Sequence, residues 1–173
     1  IEMVKTRLKS PASIRTKLER YGFDMSLDSI RKNIHDIAGV RVICSFINDV
    51  YILADALLKQ DDITLISKKD YIKNPKKNGY RSLHLIVSVP IFLAHEKRMI
   101  KVKIQLRTLA MDFWASLEHQ LRYKKNFAVT DDMLRELKEC AEMSAQLDCR
   151  MEALRKVLRS SLDQYDIKGN LLE

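Results

Sequence analysis

Cysteine, glycine and proline are scarce in this 173-residue chain, with three, four and three residues. The cysteines, Cys44, Cys140 and Cys149, are odd in number, none stands at CxxC spacing, and Cys44 lies in an apolar run. That pattern argues against a disulfide framework or a zinc site and fits a reducing, cytoplasmic compartment. So few glycines and prolines exclude a fibrous or low-complexity chain. Long apolar runs are missing as well, and charged residues make up 31%, so a membrane-spanning helix is not expected and neither is a membrane partner. With 46% apolar residues, intrinsic disorder is not expected either. The first residues lack the apolar core of a signal peptide, and the chain opens at Ile1 without a methionine, as a fragment would. A single compact unit remains.

What is present in excess is positive charge, with a formal net charge of +8. It is unevenly spread. Residues 1–20, 66–86 and 97–107 carry +4, +5 and +5, which leaves the rest of the chain mildly acidic. Each stretch alone reads as a solvated face. Three of them, two beside clearly apolar patterns, point instead to one anion site assembled by folding.

The periodicity predicts helices over Ser10–Arg20, entered through Ser-Pro and closed at Tyr21-Gly22, over Asp28–Ile34 and over Val50–Leu58. Ile37–Phe46 is nearly continuously apolar and β-branched, as a central strand is. A short strand is expected at Ile63–Ser67, a flexible basic loop at Lys68–Asn78, and a strand at Arg81–Val89 stopped by Pro90. From Ile100 to Arg107 apolar and polar residues alternate, the mark of a strand with one buried face. Leu109–Tyr123 reads as a helix with Phe113 and Trp114 in the core. From Asp131 to about Leu162 a long helix carries Met133, Leu137, Cys140, Ser144, Leu147, Met151, Leu154 and Leu158 in alternating steps of four and three. Periodicity alone leaves that stripe open to packing on its own sheet or to self-association. The fold class is α+β, a mixed sheet flanked by helices.

Three constellations carry chemistry. Arg81, His84, Lys101, Lys103, Gln105 and Arg107 share strand faces beside a basic loop, a cation density suited to polyphosphate. No GxxxxGK[ST] loop is present, so side chains must hold the phosphates. Asp36, before the central strand and near Arg41, is either a turn residue or a Mg²⁺ ligand for a nucleotide. The pair His35-Asp36 resembles a hydrolase metal motif, yet only His84, His95 and His119 remain as partners, too few for that site. Tyr80 can stack a purine or pack its ring, and Asp112 and Glu118 follow on a helix where a carboxylate can read the guanine edge.

In order, RLKSPASIRTKLER (Arg7–Arg20), DIAGVRVIC (Asp36–Cys44), DYIKNPKKNGYRSLHL (Asp70–Leu85) and IQLRTLAMDFWASLEH (Ile104–His119) resemble the synthetase domain of the RelA/SpoT family, most closely its small alarmone synthetases. The resemblance implies a nucleotidyltransferase-like synthetase domain over residues 1–125 and a helical oligomerisation extension over 126–173, with no hydrolase domain. It implies transfer of the β,γ-pyrophosphate of ATP to the 3′-hydroxyl of GDP or GTP, with Mg²⁺ as cofactor and a homotetramer as assembly. Carried over by position, Arg7, Lys9, Ser13, Lys17 and Arg41 face ATP, and Asp36 holds the metal. Lys68, Lys76, Lys77 and Arg81 grip phosphates, Tyr80 stacks guanine, His84, Gln105 and Arg107 line the acceptor pocket, and Asp112 reads the guanine edge.

One position departs from the pattern. Where the family has Glu before x-Gln-(Ile/Leu)-Arg-Thr, thought to help deprotonate the acceptor hydroxyl and support Mg²⁺, this chain has Lys103. A protonated lysine ligates no metal, and it acts as a base only with a strongly lowered pKa. Glu118 is the alternative carboxylate for that role. The rival readings are an impaired nucleotide- or RNA-binding homologue, RNA being the less favoured ligand, and a pyrophosphokinase acting on the 3′ end of tRNA.

Overall fold

The computed structural model describes residues 1–123 and 130–169. Its centre is a five-stranded sheet of order β1-β2-β5-β4-β3, built from β1 (Met3–Leu8), β2 (Ala38–Cys44), β3 (Thr64–Asp70), β4 (Leu83–Phe92) and β5 (Lys97–Thr108). β2 and β5 run parallel and every other neighbouring pair is antiparallel, which makes the sheet mixed, as expected.

Alternation along the strands divides the sheet into two faces. One carries Val42, Leu83, Leu85, Val87, Ile104 and Leu106, all buried, and packs against Val50 and Ala54 of α3 (Ile47–Leu58). Each of these buried aliphatic side chains contributes roughly 1.5–3 kcal/mol, so this face holds the sheet together. The opposite face is cationic, and register aligns it. One transverse row reads Lys5, Arg41, Gln105, His84, Lys69, and the next reads Arg7, Gly39, Lys103, Ile86, Ser67.

α1 (Pro11–Tyr21) and α2 (Leu27–Asn33) lie between β1 and β2 in the chain. α1 starts as its sequence predicts: Ser10 caps it by accepting from the Ser13 amide at 3.3 Å, Pro11 opens the first turn, and Gly22 closes it in the left-handed region.

Several local expectations are corrected. β1 was not anticipated: all six of its residues are exposed, and only the short alternation of Val4, Thr6 and Leu8 with Lys5 and Arg7 marks this edge strand. β4 runs through Pro90 to Phe92 and tolerates the proline near the exposed end of the strand pair. β3 extends to Asp70 and carries an irregularity between Leu65 and Ser67, so Lys68 and Lys69 belong to a strand and not to the loop. The loop itself is well tied. The Asp70 carboxylate accepts from the Ile72 and Lys73 amides at 3.0 Å and from the Tyr51 hydroxyl at 3.1 Å, while the Gly79 amide bonds the Lys76 carbonyl at 2.8 Å.

α4 (Leu109–Tyr123) and α5 (Asp131–Gly169) pack together at one end of the sheet. Trp114 is buried as expected and donates to the Leu137 carbonyl at 2.8 Å. Phe113 is 67% exposed, because the adjacent helical position is turned about 100° away from the core. α5 docks through small and polar residues: Ala141, Ser144 on the Ala110 carbonyl, Asp148 on Thr108, and Arg155 on Asp49 at 2.7 Å. Its heptad positions Leu147, Met151, Leu154 and Leu158 stay exposed, so they do not pack on the chain's own sheet. The domain boundary expected at residues 125–126 lies outside the described residues. Among the described residues no helix is long and apolar enough to cross a membrane.

Candidate active site

The cationic face opens into two basins that share a wall made of Asp36 and Lys103. The first, of about 410 Å³, is lined by Lys5, Arg7, Lys9, Arg41 and Gln105 together with that wall. Gly39, beside Lys103 in the register, has no side chain to fill the floor. The second, of about 290 Å³, lies over β3 and β4 and is lined by Lys17, Lys69, Tyr71, Lys76 and His84 with the same wall.

Asp36 is the hub of the wall. Its Oδ2 meets Lys9 Nζ at 3.0 Å and its Oδ1 meets Lys17 Nζ at 2.7 Å. Partial burial acts to raise its pKa, but the two ammonium groups outweigh burial and hold the carboxyl below the usual range. Lys103 is half-buried. Burial pushes its pKa down, the Asp36 carboxylate opposes this, and Lys17, Lys76 and Lys9 add to the depression.

Beneath the second basin lies a polar network. The Tyr80 hydroxyl accepts from Arg107 Nη2 at 2.7 Å and Gln105 Nε2 at 3.2 Å, which leaves its proton for His84 Nε2 at 2.8 Å. His84 is accordingly a neutral acceptor, its pKa lowered to about 3 by burial and by the cations Lys103, Arg107, Lys76 and Lys69. Lys76 Nζ stands 4.9 Å from the ring centroids of both Tyr71 and Tyr80, and the Arg107 guanidinium stands 5.1 Å from the Tyr80 ring.

The structure therefore brings Arg7, Lys9, Arg41 and Gln105 to one basin, Lys17, Lys76 and His84 to the other, and Asp36 and Lys103 between them. Other candidates point elsewhere. Asp112 is buried, and its Oδ1 accepts from Arg107 at 2.9 Å and Arg41 at 3.2 Å, so its carboxylate balances the buried Arg107 and the partly exposed Arg41. Arg81 donates to the Ala141 and Gly79 carbonyls at 3.3 and 3.4 Å and ties the loop to α5. Glu118 accepts from Asn78 at 3.1 Å and lines neither basin. Ser13 serves the α1 cap. Lys77 is exposed outside both basins. Lys68 pairs with Leu85 and Lys69 with His84. The strand irregularity has moved Lys69 into the cationic row and Lys68 to the other face.

Lys5, Lys69 and Tyr71 were missed. Lys5 stands two residues before Arg7, and a strand reading of residues 3–8 would have found it. Lys69 required the strand irregularity, which leaves no mark in composition. Tyr71 was passed over for Tyr80, although it is the aromatic side chain on the basin wall.

Among the described residues no cluster of three or more His, Cys, Asp or Glu side chains forms a resident metal site. Among the described residues, Asp36 is the one carboxylate lining the two basins. Each of its oxygens keeps a further lone pair beyond its lysine partner. That donor set suits an ion arriving on a substrate polyphosphate, where Mg²⁺ takes one or two carboxylates and completes its shell with phosphate and water.

Comparison with known proteins agrees with this arrangement. GTP pyrophosphokinase YwaC of Bacillus subtilis is 48% identical over 156 residues, covering 90% of this chain and 74% of the relative. The crystal structure of small alarmone synthetase 1 from Bacillus subtilis bound to its product pppGpp superimposes with a TM-score of 0.82 at 37% identity, covering 90% of this chain and 79% of that one. The same synthetase bound to AMPCPP gives 0.75 at 31% identity, covering 92% and 80%. A family profile described as the region found in RelA / SpoT proteins matches residues 6–128. With most of its length matched by that profile and nine-tenths of it aligned to such relatives, the chain belongs to the RelA/SpoT family.

Proposed function

We propose that this protein is a GTP pyrophosphokinase that moves the β,γ-pyrophosphate of ATP to the 3′-hydroxyl of GDP or GTP, making (p)ppGpp and AMP. The observation that carries the reading is the pair of cationic basins meeting at one wall, Asp36 with Lys103. A donor in one basin and an acceptor in the other have their reactive ends at that wall, which converts a bimolecular reaction into a positioned one. The 3′-oxygen bonds to the β-phosphorus, the bond from that phosphorus to the α-bridging oxygen breaks, AMP leaves with that oxygen and its electron pair, and the hydroxyl proton passes to water. Relatives named as GTP pyrophosphokinases, and structures of a related synthetase holding pppGpp and AMPCPP, support this assignment.

We assign ATP to the first basin, its phosphates met by Arg7, Lys9 and Lys103 and its base region by Arg41. The guanine nucleotide falls to the second, with Lys69 and Lys76 toward phosphates and Tyr71 beside Tyr80 as the aromatic surface. Asp36 is the residue that would meet Mg²⁺, which when bound supplies charge neutralisation on the phosphoryl oxygens. The exposed apolar stripe of α5, with Phe113 across the groove from Met143 and Leu147, is assigned to a homo-oligomeric contact.

Incubation with labelled ATP and GDP, GTP or tRNA tests the reading. Labelled (p)ppGpp supports it, label on tRNA supports the tRNA pyrophosphokinase, and nucleotide binding without product supports the impaired homologue. With no carboxylate at position 103, turnover is expected to rise about 10²–10⁴-fold in Lys103→Glu. No increase would refute the placing of Lys103 at the reacting hydroxyl.

A further inference from the structure

We propose that Lys103 is a built-in counter-cation that lets this chain bind a nucleoside triphosphate in its metal-free form, uncoupling nucleotide affinity from Mg²⁺. The inference rests on the placement of the triphosphate in the first basin.

The first basin sets five cationic side chains, Lys5, Arg7, Lys9, Arg41 and Lys103, against Asp36, with Asp112 behind it engaging Arg41 at 3.2 Å and Lys5 at 3.9 Å, so cations remain in excess. Both oxygens of that carboxylate already carry ammonium partners. A divalent ion placed here without substrate meets a strongly positive field with one already neutralised carboxylate. A polyphosphate meets the opposite, a fixed array of donors that needs no further charge. The metal-free triphosphate carries about two more negative charges than its magnesium complex, and the field of the basin favours the more negative species.

Lys103 occupies the position that decides this balance. It lies in the transverse row between Gly39 and Ile86, so no neighbouring polar side chain of its own row competes for its ammonium. It also stands on the wall of both basins, where phosphates of donor and acceptor converge. A glutamate there would lower the local charge by two units and give Asp36 a second carboxylate, the donor pair with which Mg²⁺ bridges phosphates. Lysine supplies positive charge at that point directly. The ion's remaining contribution is then confined to turnover.

Calorimetric titration with AMPCPP, in EDTA and in excess Mg²⁺, tests the proposal on the full chain. The affinity of the unmodified protein is expected to be the same within about threefold in the two conditions, or tighter in EDTA. Lys103→Glu is expected to lose at least about tenfold in EDTA and to recover it with Mg²⁺. Binding by the unmodified protein only when Mg²⁺ is present overturns the proposal. Equal metal dependence in both proteins overturns the assignment to Lys103. Absence of binding in either condition overturns the nucleotide site itself, and with it the proposed function, which keeps the two failures distinct. The comparison of conditions on the unmodified protein requires no variant to fold.

Discussion

Replacing Gly79 with alanine tests how α5 holds the loop that presents Tyr80. Gly79 has φ +86°, and a Cβ built on it overlaps the Cβ of Ala141 on α5. Gly22 offers the control, with φ +66° and nothing within 4 Å of its virtual Cβ. Both substitutions force a left-handed residue to carry a side chain, at about 1–2 kcal/mol. Only Gly79→Ala adds overpacking, at about 1–3 kcal/mol. The expected difference is that second quantity, which for a chain of this size lowers the melting temperature of Gly79→Ala by about 2–4 °C per kcal/mol beyond that of Gly22→Ala. Denaturant unfolding of both variants, and of Gly79→Ala in an Ala141→Gly background, measures it. The background change removes the obstructing methyl, so the two glycine substitutions should then cost the same. Equal costs in the unmodified background, within about 0.5 kcal/mol, would refute the contact. Because Tyr80 follows Gly79 directly and its hydroxyl joins His84, Gln105 and Arg107, Gly79→Ala should also weaken guanine-nucleotide binding more than AMPCPP binding.

Asp112→Ala leaves the 4%-exposed Arg107 without its carboxylate and should cost about 3–5 kcal/mol in denaturant unfolding; a loss below about 1 kcal/mol, as for an exposed pair, would contradict the buried ion-pair reading. Burial and the surrounding cations push His84 down to about 3 from the ordinary imidazole value near 6.5, so between those values the unfolded chain binds the extra proton and stability falls as pH is lowered. Above about pH 6.5 this residue contributes no slope, and its NMR signals should remain those of neutral imidazole at pH 5. Leu147→Glu, at the exposed centre of the α5 stripe, should reduce the mass measured by light scattering while leaving far-UV circular dichroism unchanged; an unaltered mass would remove Leu147 from any oligomer contact.

Much of this molecule is written in local pattern. Period-two alternation over residues 100–107 separates an apolar from a cationic face, Ser10-Pro11 and Gly22 mark both ends of a helix, and the apolar run at 38–44, broken only by Arg41, announces the central strand. Four ordered motifs were enough to indicate the family and most of the residues that meet at the wall. These signals are legible because they depend on neighbours within a few positions along the chain.

The rest depended on pairing between distant segments. An irregularity in β3 decides that Lys69, and not Lys68, joins the row of His84, because a one-residue shift exchanges the faces of a strand. Edge pairing with β2 makes a strand of residues 3–8 and brings Lys5 and Arg7 to the basin. Packing against α5 draws Arg81 away from the phosphate cleft, and the guanidinium groups of the buried Arg107 and the partly exposed Arg41 engage Asp112. The sequence alone shows an excess of cations and a lysine, not a carboxylate, at position 103. Only the tertiary structure shows that Lys103 shares its wall with an Asp36 already held by two lysines, since charges from four separate segments become neighbours only when the sheet and α1 assemble.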